Sequence, residues 1–190
     1  MLKGLLPSLI IIFLFVIIYG YKLTRKKIAL LNFIYGILFG CYIANLVSVV
    51  FFPLPLQKRL IREMIDEHLG ELNNFIPFHT ILHVLNTESL EIALRQIAGN
   101  IILFIPLSFG IFLLCPTVKV KKVLLIGILS SVIIECLQGI VGQFIGYNYR
   151  STDIDDVILN SIGTIIGISV WKIAFHLLES LGLVLKSSSK

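Results

Sequence analysis

Five long apolar stretches constrain the fold of this 190-residue chain more than any other feature of its sequence. A helix needs about 20 mostly apolar residues to cross the hydrocarbon core of a bilayer. With 57% hydrophobic and 14% charged residues, the chain carries more apolar surface than a soluble domain of this length can bury. We therefore predict an all-α polytopic membrane protein, with residues 1–190 forming one integral-membrane domain. Its five predicted spans are Leu5–Tyr19, Ile28–Phe52, Ile97–Cys115, Val123–Val141 and Ile154–Leu178.

The first apolar stretch also resembles a signal peptide, because Lys3 precedes a short apolar run. The sequence that follows, from Gly20 to Arg25, lacks the small-residue pattern of a cleavage site. We therefore expect this helix to be retained.

Basic residues predict the orientation of the chain. They cluster between the first two spans and between the third and fourth, and the positive-inside rule places both loops in the cytoplasm. The N-terminus is then outside, the C-terminus with Lys186 and Lys190 is cytoplasmic, and every acid except Glu179 is outside. The net charge of +5 reflects this topology and does not indicate a nucleic-acid partner. The loop residues concerned are Lys22, Arg25, Lys26 and Lys27, and Lys119, Lys121 and Lys122.

The long outer segment between the second and third spans has structure of its own. Apolar residues recur at helical spacing over Leu56–Leu69, which predicts an amphipathic helix on the outer leaflet. The apolar patch Asn73–Phe78 is too short to span, so we expect a loop that dips into the mouth of the bundle. His79 and His83 share a helical face and could bind a metal or simply supply interfacial polarity.

Polar and small residues form stripes on three of the predicted spans. Gly163-x-x-x-Gly167 is typical of close helix packing in membranes, so the stripe of the fifth span should contact another helix. All the polar members lie in the outer halves of their helices, and we expect them to converge on one outward-facing pocket. The stripes are Gln96 and Asn100; Ser131, Glu135, Gln138 and Gly142; and Asp153, Asp156, Asn160, Gly163 and Gly167.

Structural roles are an alternative for several of these residues. Thr152 or Asp153 could cap the fifth span, and Asp155 and Asp156 could simply be stabilised by the positive N-terminal end of that helix. We expect this role above all for Asp155, which lies on the other side of the helix. Asn100 and Asn160 could form interhelical hydrogen bonds, and Arg150 could balance the acids. Glu135 is harder to explain in this way, because a carboxylate inside a membrane helix needs a partner, a proton or water.

Four ordered motifs resemble those of the VanZ-like family over about residues 28–171. They are Asn73-Asn74-Phe75-Ile76-Pro77-Phe78; Asn100-x-x-x-Phe104-x-Pro106-x-x-x-Gly110; Glu135-x-x-Gln138; and Arg150-x-x-Asp153-x-Asp155-Asp156-x-x-x-Asn160-x-x-Gly163-x-x-x-Gly167. Ser108-Phe109 departs from the Gly expected after the proline of the third span. The resemblance implies a bacterial plasma-membrane protein that gives resistance to teicoplanin, a lipid-bearing glycopeptide antibiotic, but it supplies no mechanism.

Three functional hypotheses follow. The first is a non-catalytic protein whose outer pocket binds an amphiphile, either the lipoglycopeptide or a lipid-linked cell-wall precursor. The second is an intramembrane enzyme acting on an envelope lipid, with Glu135, Asp153 and Asp156 as catalytic candidates or as ligands of a divalent cation, and with no other cofactor. The third is a scaffold for another membrane enzyme. The candidate binding residues are Asn73, Asn74, Phe75, Pro77, Phe78, Asn100, Glu135, Gln138, Arg150, Asp153, Asp156 and Asn160.

Overall fold

The computed structural model describes residues 1–70 and 72–184, and this part of the chain forms seven helices. Five of them are long and apolar enough to cross a membrane, which confirms the predicted all-α polytopic architecture. Lys186 and Lys190, with the predicted cytoplasmic C-terminus, lie outside the described residues. The helices are α1 (Leu5–Thr24), α2 (Leu30–Phe51), α3 (Lys58–Asp66), α4 (His79–Thr87), α5 (Leu90–Leu114), α6 (Val120–Ile145) and α7 (Ile154–Ser180).

The helix bounds follow from local chemistry. Phe52 is extended because it precedes Pro53, and this ends α2. The side chain of Ser89 accepts a hydrogen bond from the backbone N–H of Ile92 and caps α5, which therefore begins at Leu90 and not at Ile97 as predicted. Gly146 has a φ of 75° and ends α6 in the left-handed conformation that glycine adopts without strain.

Successive spans run in opposite directions, so the loops that join them lie at two ends of the bundle, and these ends differ in charge. At one end, an isolated bridge pairs Leu2 with Leu54 and a second pairs Asn74 with Asp153. This end carries α3, α4 and the described acidic residues other than Glu179, and we call it the acidic end. At the other end the hydroxyl of Tyr35 donates to the backbone carbonyl of Leu183, and the lysine-rich loops between α1 and α2 and between α5 and α6 lie there. We call it the basic end.

Helix α5 lies at the centre of the bundle. One cluster of buried residues, including Leu46 and Phe104, packs α5 against α2, and another, including Phe112 and Trp171, packs it against α7. Helix α1 packs mainly on α2, with Phe15 and Tyr19 lying over two glycines, and buries none of its own residues. The apolar surface that α1 leaves exposed faces outward, as expected of a helix bathed in lipid.

The predicted amphipathic helix is present as α3, which is shorter than Leu56–Leu69. Its apolar residues line one side and its charged residues are exposed. The segment before α5 contains a further short helix, α4, that begins directly after the predicted dipping loop. Both short helices lie at the acidic end of the bundle.

Candidate functional site

Asp153 organises the start of α7. It is the N-cap residue, and its Oδ1 accepts hydrogen bonds from the backbone N–H of Asp155 and from Nδ2 of Asn74, both at 2.8 Å. Its own backbone N–H donates to Oε2 of Glu135 at 2.8 Å. Glu135, only 5% exposed, therefore joins α6 to the first turn of α7. Two of the catalytic candidates thus meet through the backbone of Asp153.

The three polar stripes meet in pairs around the same turn. Asn100 of α5 donates its Nδ2 to Oδ1 of Asp156 at 2.5 Å, and Asn160 donates its Nδ2 to Oγ of Ser131 on α6 at 2.9 Å. Asp156 is partly exposed, whereas Asn160 is buried. Gln96 lies one turn before Asn100 but is exposed and does not join these pairs. We name Glu135, Asp153, Asp156, Asn100 and Asn160 the acidic cluster.

Glycines of α7 allow this close approach. A Cβ atom at Gly163 would collide with the backbone carbonyl of Ile101, and one at Gly167 would collide with the side chain of Ser108. The glycine face of α7 therefore packs directly on another helix, as predicted, and that helix is α5. Nearer the start of α7, Asp156 meets Asn100 of the same neighbouring helix.

The acidic cluster has acceptors in excess and forms no ion pair within the described residues. The ion pairs found in this part of the chain, Arg59–Glu63 and Arg95–Glu91, are both exposed and lie on α3 and α5. Oδ1 of Asn160 is buried without a hydrogen-bond partner among the described residues. A buried acceptor without a partner costs free energy, so the cluster is suited to a group that donates hydrogen bonds or carries positive charge.

Arg150 and Gln138 contact the end of α2 and not the acids. Arg150 donates from Nη2 to the carbonyls of Val49 and Phe52, and Gln138 donates from Nε2 to that of Val50. Tyr149 donates its hydroxyl to the carbonyl of Phe51. These are carbonyls that a helix leaves unpaired at its C-terminus. The three side chains therefore form a cap for α2.

The hydroxyl of Tyr149 remains a donor in this cap. Burial raises the pKa of Tyr149 above its ordinary value, although the charge of Arg150 partly opposes this effect. The hydroxyl is therefore protonated at neutral pH. Oε1 of Gln138 is buried and has no partner among the described residues, so this side chain also offers an acceptor.

The loop from Asn73 to Phe78 is clamped to the start of α7. Oδ1 of Asn73 accepts from the backbone N–H of Thr152, and Asn74 exchanges backbone hydrogen bonds with Thr152 and Ile154. The polar atoms of both asparagines therefore hold the loop in place. Its apolar side chains point away from this clamp, with Phe75 at 71% and Phe78 at 55% exposure.

Asp155 completes the clamp. Its carboxylate is 1% exposed and accepts from the backbone N–H of Phe78 at 2.5 Å and from that of Ile81 at 3.1 Å. Asp155 lies in the first turn of α7, where the sequence places it, and its two oxygens also bind the start of α4. This is the site residue that sequence reasoning missed, because its partners lie more than 70 positions away.

The family model of VanZ/LLP1 matches residues 39–175, well over half of the chain. The chain belongs to the VanZ/LLP1 family. The matched segment begins within α2, ends within α7, and contains every member of the acidic cluster and of the clamp. It makes the protein a VanZ-like membrane protein, of a family linked to antibiotic resistance. Searches of the curated proteins and of the solved structures found no match.

This VanZ/LLP1 protein shows no ready-made metal centre in its described part. Across residues 1–70 and 72–184, no three His, Cys, Asp or Glu side chains lie close enough together to hold a metal ion. His79 and His83 stack with ring centroids 6.4 Å apart on the exposed side of α4. Glu135, Asp153 and Asp156 would need a ligand's own oxygens, or water, to complete the shell of a divalent cation.

Proposed function

We propose that the acidic cluster of this VanZ-like protein binds the polar part of an amphiphile, either a lipoglycopeptide of the teicoplanin type or a lipid-linked cell-wall precursor, and thereby gives glycopeptide resistance. The observation that carries the proposal is the set of carboxylates at the acidic end that form no ion pair among the described residues. Charges so close to a bilayer are expensive, and a bound ligand would offset their cost.

The chemistry of the cluster selects the ligand. When Glu135 and Asp156 are ionised, their free oxygens and the unpaired Oδ1 of Asn160 are all acceptors, so the complementary group donates hydrogen bonds through hydroxyl, amide or ammonium groups. A glycopeptide offers such donors directly. A precursor that carries phosphate would be repelled by the carboxylates unless a divalent cation lay between them.

The loop tip provides a surface for the apolar part of the same molecule. Phe75, Ile76 and Phe78 are 71%, 65% and 55% exposed, and the clamp ties them to the turn that carries the acids. An amphiphile could therefore place its lipid chain beside the loop tip while its polar part enters the cluster. Pro77 lies within the same tip and stiffens it.

Binding to the purified full chain in lipid nanodiscs tests this proposal. A fluorescent teicoplanin derivative should bind the wild-type protein, and Asp156→Asn should weaken binding about 10- to 150-fold, since a hydrogen bond to a charged group is worth about 1.5–3 kcal/mol. Glu88→Gln is the matched control, because Glu88 is exposed at the same end of the bundle and lies outside the cluster. Equal affinities for all three proteins would contradict the proposal.

The two ligand classes differ in their need for a cation. Binding of a lipid-linked precursor should require Mg²⁺ and be lost on chelation, whereas binding of the glycopeptide should not. In cells, the wild-type chain should raise the inhibitory concentration of teicoplanin more than that of a glycopeptide without a lipid tail. Glu135→Gln and Asp156→Asn should remove this effect at unchanged membrane abundance.

An intramembrane enzyme is the second candidate. Only Oε2 of Glu135 accepts a hydrogen bond from the described residues, so Oε1 is available to take a proton from a substrate. Incubation of the purified protein with an envelope-lipid extract discriminates the two functions. Cation-dependent product formation that Glu135→Gln abolishes would favour the enzyme over the binding protein.

A further inference from the structure

A groove opens at the basic end of the bundle, far from the acidic cluster. It lies between the end of α5, the start of α6 and the last turns of α7, and its volume is about 410 Å³. Trp171 lines it and stacks on Phe112 with ring centroids 5.3 Å apart, and the ring centroids of Trp171 and Phe175 are 5.6 Å apart. Pro116 and Val118 complete an apolar wall.

The other wall of the groove is basic. Lys172 and His176 lie one helical turn apart on α7, and both are exposed. Lys119 stands between the lining residues Val118 and Val120, where α6 begins. Glu179, the only acid that the sequence places at this end, lies nearly one turn beyond His176. Among the residues that line the groove, Lys172 carries a positive charge and none is acidic.

The depth of the groove corresponds to the boundary between hydrocarbon and headgroups. Helix α7 has 27 residues and is about 40 Å long, whereas the hydrocarbon core is about 30 Å thick. Lys172 lies about two turns before the end of α7, so its aliphatic chain can run along apolar surface while its ammonium group reaches the headgroup level. Tryptophan favours the same depth.

We propose that this groove binds one anionic phospholipid of the surrounding leaflet. The phosphate of the lipid contacts Lys172 and His176, and its acyl chain lies along Phe112, Pro116 and Val118. Basic pockets between membrane helices at the positively charged side select anionic headgroups in this way. The site is independent of the function proposed for the acidic cluster, because it shares no residue with it.

Trp171 is the only tryptophan of the chain and lies in the groove, so its fluorescence reports on the site directly. The full chain is reconstituted in phosphatidylcholine vesicles with a small fraction of lipid brominated near the headgroup end of its acyl chains. Brominated phosphatidylglycerol should quench Trp171 more than the same fraction of brominated phosphatidylcholine. A single lysine beside an anionic headgroup should account for a roughly fivefold preference.

Lys172→Gln should reduce this preference about fivefold, while Lys121→Gln should leave it within about twofold. Lys121 is exposed at the same end but does not line the groove, so the two variants lose the same charge at different places. Adding soluble glycerol phosphate should not reverse the quenching.

Three results would overturn the proposal. Equal quenching of the wild type by both brominated lipids would show that the groove does not select charge. An unchanged preference in Lys172→Gln would assign the attraction to the basic end as a whole. Reversal by glycerol phosphate would identify a site for a soluble anion.

Discussion

The clamp between Asp155 and the start of α4 can be tested by a single amide substitution. The carboxylate accepts one hydrogen bond on each oxygen, from Phe78 and from Ile81. An asparagine offers only one acceptor, so Asp155→Asn places an amide donor against a backbone donor and loses one hydrogen bond to a charged group. That loss costs about 1.5–3 kcal/mol, because the site is fully buried.

Hydrogen exchange, measured by mass spectrometry on peptides covering residues 75–82, reports the free energy of opening this segment. Opening of the loop should become about 10- to 150-fold more frequent, and exchange should accelerate by the same factor. Asp66→Asn makes the same chemical change on the exposed face of α3 and should leave this segment protected. An acceleration of less than about threefold in Asp155→Asn would refute the role assigned to the carboxylate.

Two further predictions concern packing and topology. Gly163→Leu should deplete folded protein from the membrane, because even a Cβ atom collides with the carbonyl of Ile101. Gly99→Leu should be tolerated, since nothing lies within 4 Å of its Cβ position. Western blots of membrane fractions and melting curves of the purified variants check both. In a cysteine-free background, a cysteine that replaces the exposed Phe75 should react with an impermeant thiol reagent on intact cells. A cysteine that replaces Lys121 should not react. The reverse pattern would invert the orientation inferred from the loop charges.

Much of the membrane architecture follows from the sequence, because each span is an apolar run long enough to be recognised by itself. The glycine spacing of α7 also predicted a closely packed face, and that face lies on the backbone of α5. Helical periodicity identifies which residues share a face. It does not identify the partner of that face.

The residues whose partners are distant in sequence show this limit. The sequence makes Arg150 a candidate binding residue from its position next to the acids, and its guanidinium hydrogen-bonds to carbonyls of α2 some 100 residues earlier. Asn73 and Asn74 were predicted to bind a ligand, and their polar atoms hold the loop against α7. Whether Asp156 and Glu135 bind a ligand stays a prediction that the measurements above address.

The clamp also bears on when the acidic end can form during synthesis. The asparagine loop precedes its partners at the start of α7 by 77 to 79 residues, so it is made long before Asp153 and Asp155. A chain interrupted after α6 could still pair α1 with α2. Its asparagine loop, however, would lack the carboxylates of Asp153 and Asp155, and Glu135 would lack the backbone N–H of Asp153. Contacts of such long range form late, because ordering the intervening chain must come first. Insertion of the last helix is therefore the step that assembles the site, and any nascent chain short of it lacks the site entirely.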